Sequence, residues 1–347
     1  TLFHYCLPTA YPAEPGILYH NEGGGRFRDV TAASGVRVPP GRSLGCQWVD
    51  ENGDGRPDLY VANDMSENFL FRNEGGGRFR EIGLSAGVAL GSAGRPQAGM
   101  GVAAGDVDGD GRQDLVVTNF TGEYAALYRN EAVGSFSDIS SQVGLIEATR
   151  PGTGFGVGLE DLDLDGWLDL FIANGHVTDT VERFYEGISL AQPNVVLRNH
   201  AGAGFVPVSD PGAHVVAPRV HRGAAFGDYD NDGRIDVLVT NWRGEPDLLR
   251  NVGDYGRHFM TLHLKGTRSN RSAIGAAVTV SAGGRRQMRE VRSCGSYCSQ
   301  GDLRLTFGLG ERGTADEVTV RWPTGRTEVR RNVRGDRTVT WTEGAPE

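Results

Sequence analysis

Four stretches of this chain repeat one acidic pattern in the same register, and that repetition limits the fold more than any other feature. The first carries Asp50, Asn52, Asp54 and Asp58, and the second Asp106, Asp108, Asp110 and Asp114. The third carries Asp161, Asp163, Asp165 and Asp169, and the fourth Asp228, Asp230, Asp232 and Asp236. Each presents oxygen donors at positions 1, 3, 5 and 9 and a Gly at position 6, where a sharp turn needs one. A hard cation that takes six to eight oxygens in flexible geometry matches this donor set, so the expectation is Ca²⁺, about four ions, one per loop. Magnesium, with its strict octahedron, fits less well. Arg56, Arg112, Trp167 and Arg234 occupy position 7 and are expected to lend only a backbone carbonyl. Single Asp-Gly turns are common at strand ends, but four in-register copies are not explained that way. Fifteen aspartates in four loops repel one another without a cation, and the expected use of the metal is to staple the fold rather than to catalyse.

An Asn lies five positions beyond the last Asp in every copy: Asn63, Asn119, Asn174 and Asn241. A second repeated element follows, Phe71-Arg-Asn73, Tyr128-Arg-Asn130, Leu197-Arg-Asn199 and Leu249-Arg-Asn251, with Phe79, Phe136 and Phe205 downstream of the first three. A further copy, Leu18-Tyr-His-Asn21, precedes the first acidic loop. Each repeat therefore reads as about four short strands, a propeller blade, and the N-terminal half-repeat is expected to supply the strand that the fourth repeat lacks. From about residue 257 the pattern changes to alternating runs such as Phe259–Leu264, Leu303–Leu309, Glu317–Trp322 and Val339–Trp341. The expected fold is all-β: a Ca²⁺-binding β-propeller over 1–256, then a sandwich-like β-domain over 257–347. The balance of 52 Gly against 15 Pro suits many tight turns.

No apolar run is long enough to span a membrane, and the segment from Thr1 lacks the pattern of a leader peptide. The formal charge of −9 divides unevenly: residues 257–347 hold 16 Lys+Arg against 9 Asp+Glu, residues 1–256 hold 19 against 35. The C-terminal arginines are scattered through strands, which reads as a solvated surface and not as a nucleic-acid site. Cys6, Cys46, Cys294 and Cys298 form no CxxC pair; Cys294 and Cys298 read as isolated small hydrophobes, with a local bridge left open.

The acidic repeats resemble the FG-GAP/VCBS blades of integrin α-chains and of the cartilage acidic protein family. The run Gly266–Ala276, with Arg289-Glu-Val, Ser296-Tyr, Ser299-Gln-Gly-Asp302 and Phe307-Gly-Leu-Gly310, is similar to the ASPIC/UnbV domain. The resemblance implies a calcium-stabilised propeller followed by that domain, usually in exported or cell-surface proteins, with a cytoplasmic location as the alternative. Relatives in bacterial natural-product clusters also keep a biosynthetic role in view.

Residues just after the four equivalent asparagines should share one face, and they differ: Asp64 and Glu67, Phe120 and Glu123, His176, then Trp242 and Arg243. Unlike residues at matched loop positions are how propellers place binding chemistry, so these are the ligand-binding candidates. The insertion from His176 to Pro193 is a candidate lid with a short helix. No phosphate loop, HExxH or Ser/His/Asp order is present; His176, Asp64 and His221 are the weak catalytic candidates. The favoured reading is a calcium-stabilised module that binds a protein, glycan or small molecule, and the alternative is a cofactor-independent cyclase or bond-forming enzyme.

Overall fold

The computed structural model describes residues 6–37 and 40–345, and within them strands dominate. The N-terminal half-repeat forms a hairpin, β1 (Tyr19–Gly23) and β2 (Arg26–Asp29). Three four-stranded antiparallel sheets follow. The first holds β3 (Ser43–Val49), β4 (Asp58–Asn63), β5 (Phe69–Gly75) and β6 (Arg78–Glu81). The second holds β7 (Val102–Gly105), β8 (Asp114–Val117), β9 (Ala126–Ala132) and β10 (Ser135–Asp138). The third holds β11 (Gly154–Glu160), β12 (Asp169–Asn174), β13 (Val195–Asn199) and β14 (Phe205–Pro207). A fourth sheet stops at three strands, β15 (His221–Gly227), β16 (Asp236–Asn241) and β17 (Asp247–Leu249). In every blade the acidic loop joins the first strand to the second, and the Arg-Asn motif lies within the third strand (blades one and two), ends it (blade three) or follows it (blade four).

The sheets stack as propeller-like blades because their first strands approach almost backbone to backbone. A Cβ on Gly101 would lie 1.9 Å from the Phe155 carbonyl oxygen, and one on Gly45 2.1 Å from that of Met100. Gly156 meets Ala224 in the same way. Apolar side chains fill the gaps: Tyr60, Leu70, Leu115 and Tyr128 between blades one and two, Leu127, Leu145, Leu170 and Leu197 between two and three. The asparagines of the Arg-Asn motifs tie each blade to the one before. Asn130 Nδ2 donates to Glu51 O (2.8 Å), Asn199 Nδ2 to Val107 O (2.9 Å) and Asn251 Nδ2 to Leu162 O (2.7 Å).

The half-repeat does not complete the fourth blade. Its hairpin is a separate two-stranded sheet, and Leu18 and Val36 around it pack on Phe69, Phe71 and Phe79 of the first blade. Where a further inner strand would follow β15, the chain places residues 296–299: a Cβ on Gly223 would meet Ser299 Oγ at 2.5 Å and Tyr297 O at 3.1 Å.

Those residues belong to a loop of the C-terminal sandwich. One of its sheets orders β21 (Leu305–Gly310), β18 (His258–Lys265) and β24 (Arg337–Thr342), with the last two parallel; the other orders β20 (Arg285–Glu290), β19 (Ala277–Ala282), β22 (Thr314–Arg321) and β23 (Thr327–Arg334). Met260, Leu262, Phe307 and Trp341 face Val278, Val280, Val318 and Trp322 in its core. Near its C-terminus, Glu343 closes the Thr267-Arg-Ser turn. Burial pushes its carboxyl up, but three backbone N–H groups of that turn (2.8–2.9 Å) hold it down at about 2.

The close approach of first strands gives a stability test. Gly101→Ala forces a methyl into the Phe155 carbonyl and is expected to cost about 3 kcal/mol in denaturant unfolding. Gly16→Ala, with open space around it, is expected to be neutral; equal effects would discount the strand contact.

Candidate metal centres and the opposite mouth

The acidic loops share one internal wiring. The position-9 aspartate is bonded through both oxygens. Oδ1 of Asp58, Asp114, Asp169 and Asp236 accepts the N–H of Asn73, Asn130, Asn199 and Asn251 at 2.6–2.8 Å. Oδ2 accepts the N–H at position 2, of Glu51, Val107, Leu162 and Tyr229, at 2.9–3.2 Å. At position 1, Oδ2 of Asp50, Asp106, Asp161 and Asp228 accepts the glycine N–H at 2.8–2.9 Å. Those glycines, Gly55, Gly111, Gly166 and Gly233, have φ of 86–88°, a left-handed conformation that strains any side chain.

This wiring brings positions 1, 3 and 9 together. Oxygens of Asp106, Asp108 and Asp114 lie within 4.8 Å of one another, as do those of Asp161, Asp163 and Asp169 and of Asp228, Asp230 and Asp236, so these clusters can each hold a metal ion. The first loop has Asn52 at position 3, a neutral oxygen donor. Oδ1 of Asp50 and of Asp161 is buried without a hydrogen-bond partner, an expensive arrangement for a carboxylate that a cation would relieve. The position-5 aspartates have partners of their own: Asp54, Asp110 and Asp232 pair with the guanidinium of Arg56, Arg112 and Arg234, and Asp165 Oδ1 accepts the Trp167 N–H. Those three arginines do more than present a carbonyl, since each Nε also donates to the carbonyl of Asn73, Asn130 or Asn251 (2.6–2.9 Å). Their recurrence at one position in three of four loops was the sequence signal for that clamp.

Without a cation, burial pushes the carboxyls far up, and neighbouring aspartates add to it. Asp114 and Asp169 reach about 8, Asp58 and Asp161 about 7, and Asp106 about 6, while the backbone N–H bonds pull the other way.

The C-terminal domain covers this acidic end, and part of its arginine set is engaged there while others, such as Arg331 and Arg334, stay exposed. Arg321 pairs with Asp50 (2.8 Å), Arg257 with Asp163 (2.8 Å) and Arg289 with Glu160 (3.1 Å), while Arg304 donates to the Asp228 carbonyl (2.7 Å). Gly308 N–H reaches Asp161 Oδ2 itself (3.0 Å), and Arg285 stacks 3.5 Å from the centre of the Trp167 ring. These arginines are scattered in sequence because they reach separate points: Arg321 the first loop, Arg257, Arg285 and Arg289 the third, and Arg304 the fourth.

The second strand of each blade starts at a position-9 aspartate and runs to the asparagine, or in the second blade to within two residues of it, which places the other candidates roughly 17 Å away at the opposite end. There each asparagine clasps its own turn, Asn63 Nδ2 on Glu67 O and Asn241 Nδ2 on Glu245 O for example. Glu123 Oε2 accepts the N–H of Ala98 (2.9 Å) and Phe120 (3.3 Å), and after burial its charge is the largest influence raising Asp64. Glu67 is exposed. His176 is buried against Phe120, ring centres 4.9 Å apart, and its Nδ1 accepts the Thr178 N–H. Trp242 is 42% exposed with Arg243 stacked on it at 4.2 Å. His221 is fully buried on Asn241 Oδ1 (2.7 Å), and burial lowers its pKa. The insertion after His176 holds a single 3₁₀ turn, Val181–Arg183, rather than a longer helix. All four cysteines are free; Cys294 Sγ accepts the Trp48 N–H at 3.1 Å.

Residues 266–347 match the ASPIC and UnbV family model, and residues 50–117 and 106–172 match the FG-GAP-like repeat. The chain is 27% identical to cartilage acidic protein 1 of Mus musculus over 92% of its own length and 46% of that protein's, and 27% identical to the Homo sapiens protein over 94% and 46%. It thus spans about half the length of these curated relatives. Among solved structures, the V. cholerae biofilm matrix protein Bap1 overlaps 84% of this chain and 59% of its own at 12% identity and TM-score 0.34. An Agrocybe aegerita lectin that recognises non-reducing terminal N-acetylglucosamine overlaps 69% and 76% at 18% identity and TM-score 0.33.

The raised carboxyl pKa values fix the sign of a pH effect. A carboxyl moved from 3.8 in the unfolded chain to about 8 in the fold leaves stability intact below 3.8 and weakens it as pH climbs through about 8. In chelator the melting temperature is therefore expected to fall from about pH 5 to about pH 8, and saturating divalent cation to remove most of that fall. A cation-free protein whose melting temperature holds or rises over this range would contradict the buried-carboxylate account.

Proposed function

This chain is an FG-GAP-repeat protein with a C-terminal ASPIC and UnbV domain, homologous over most of its length to cartilage acidic protein 1, and on that premise we propose that it is a calcium-stabilised binding module. In this reading residues 1–256 form the binding unit and 257–347 its cap. Positions 1, 3 and 9 of each loop, Asp50-Asn52-Asp58, Asp106-Asp108-Asp114, Asp161-Asp163-Asp169 and Asp228-Asp230-Asp236, hold one Ca²⁺ each, four in all. The all-oxygen donor set and the unpartnered Oδ1 atoms of Asp50 and Asp161 support a hard cation. The ion's contribution is charge: it neutralises carboxylates that the fold has already buried, and its binding free energy becomes folding free energy. Calcium sites of this kind suit an extracellular setting, where the free ion is plentiful.

A single asymmetry supports the place of ligand engagement. One end of the blades is closed by the C-terminal domain, while the other exposes unlike side chains around Trp242, Tyr185 and Met65. Ligand engagement at that mouth needs no chemistry at the metal, and the burial of His176 and His221 favours binding over catalysis.

Calcium at 100 times its Kd adds about 2.7 kcal/mol per filled site, so Ca²⁺ is expected to raise the melting temperature above that in chelator by about 10 °C or more; magnesium at the same concentration should give little. Terbium in place of calcium should luminesce on excitation of tryptophan and lose most of that signal in Trp167→Phe, since Trp167 lies in the third loop. A calcium-independent melting temperature would remove the stapling role. For the mouth, ligands found by NMR fragment screening are expected to lose their hold on Trp242→Ala/Tyr185→Ala, whereas hits indifferent to that pair would move the site.

A further inference from the structure

We propose that the mouth end of the blade axis is a carboxylate-binding site for a small apolar molecule, built from Arg222 and Phe155 of two blades and Tyr297 of the C-terminal domain. The inference rests on the reading of the mouth as the ligand face and adds the class of ligand.

Residues 292–302 leave the C-terminal sandwich and run along the axis past every inner strand. Arg292 Nη1 donates to Ala104 O (2.6 Å), Ser296 N–H to Val102 O (2.6 Å), and Val157 N–H to Ser296 Oγ (3.0 Å). Trp48 N–H donates to Cys294 Sγ, and Asp302 N–H to Phe226 O (2.8 Å). The tip of this loop reaches the far end. Tyr297 packs edge-on against Phe155, ring centres 4.9 Å apart, and Phe155 lies beside Gly154, the register partner of Asn174. The tip is held in a costly backbone: Ser296 and Cys298, on either side of Tyr297, have φ of 58° and 47°. Non-glycine residues in that region persist where surrounding contacts impose them, and such places cluster at functional sites.

Arg222 is adjacent to this tip, its guanidinium carbon 4.3 Å over the Phe155 ring. Its Nη1 donates to the carbonyls of Gly175 (2.9 Å) and His221 (2.6 Å), and its Nη2 to that of His176 (3.0 Å). Among the described residues no carboxylate comes within ion-pair distance of it, and its Nε has no protein acceptor. Three donors are thus fixed on carbonyls, and Nε–H with the second Nη2–H remain. Those two form the side-on fork of a guanidinium, spaced to receive both oxygens of a carboxylate. The other arginines described at the axis, Arg289, Arg292 and Arg304, each have a carboxylate partner. An arginine anchored by neutral carbonyls, stacked on an aromatic ring and left with one open fork is preorganised for an anion. Leu44, Met65, Tyr185 and Trp242 are at least 40% exposed at the same end of the blades. Single exposed apolar residues are ordinary, but four of them at the end that carries the open fork of Arg222 suit an apolar body with one acidic group.

The test compares 2-naphthoate with its neutral isostere 2-naphthamide by calorimetry on the full calcium-loaded chain. The acid is expected to bind about tenfold tighter than the amide, and Arg222→Gln to abolish that preference while leaving the amide unchanged. Because Arg222 also supports three carbonyls, the wild-type comparison stands by itself if the variant fails to fold. Equal binding of acid and amide by the wild type overturns the carboxylate site; if Trp242→Ala then weakens both, the mouth remains the ligand face, and if it weakens neither, that reading falls as well. Absence of binding by either probe up to about 1 mM also overturns the proposal.

Discussion

A carboxylate buried where the backbone can satisfy only part of it is the constraint on which the rest of this structure depends. The position-9 aspartate joins the second strand of its blade to the third through Oδ1 and to its own loop through Oδ2. The cost of that arrangement is negative charge in a poorly solvated place, shown by carboxyls that burial lifts to about 7 and 8. Charge from elsewhere has to answer it, and the chain carries two kinds of answer: an oxygen cage suited to a divalent cation, and arginine.

The arginines explain why the molecule has two unlike halves. The acidic repeats and the basic C-terminal sandwich are not independent modules with separate surfaces, because Arg257, Arg289, Arg304 and Arg321 each reach a different part of the acidic end. Gly308 bonds directly to Asp161, so whatever fills the third loop also bears on how the sandwich is seated. The same docking threads residues 292–302 through the axis. A single interface thereby closes the acidic end, fills the centre and delivers Tyr297 to the opposite face.

Much of this was legible in the sequence because the repeats are periodic, and periodicity reports local structure. The fixed interval from acidic loop to asparagine, with an Arg-Asn motif after each, pointed to the four strands of a blade, and the Asp/Gly spacing to the clustering of oxygens. Even the clamp made by Arg56, Arg112 and Arg234 left a mark. Less legible was the fate of the half-repeat: Leu18 and Val36 are ordinary apolar residues, and nothing local says that they pack on Phe69 and Phe71 of the first blade rather than complete the fourth.

What the sequence determined by itself is everything set by short-range chemistry: left-handed turns at Gly55, Gly111, Gly166 and Gly233, oxygen donors grouped at matched corners, and strands that alternate. What only the tertiary structure decided is which faces remain available. Arg222 and Tyr297 are 75 positions apart and carry no motif that pairs them, and the fork left open on Arg222 depends on three carbonyls, two from the loop after β12 and one from the start of β15. Long-range docking carries no period, so its consequences appear only when the blades and the sandwich are together in space.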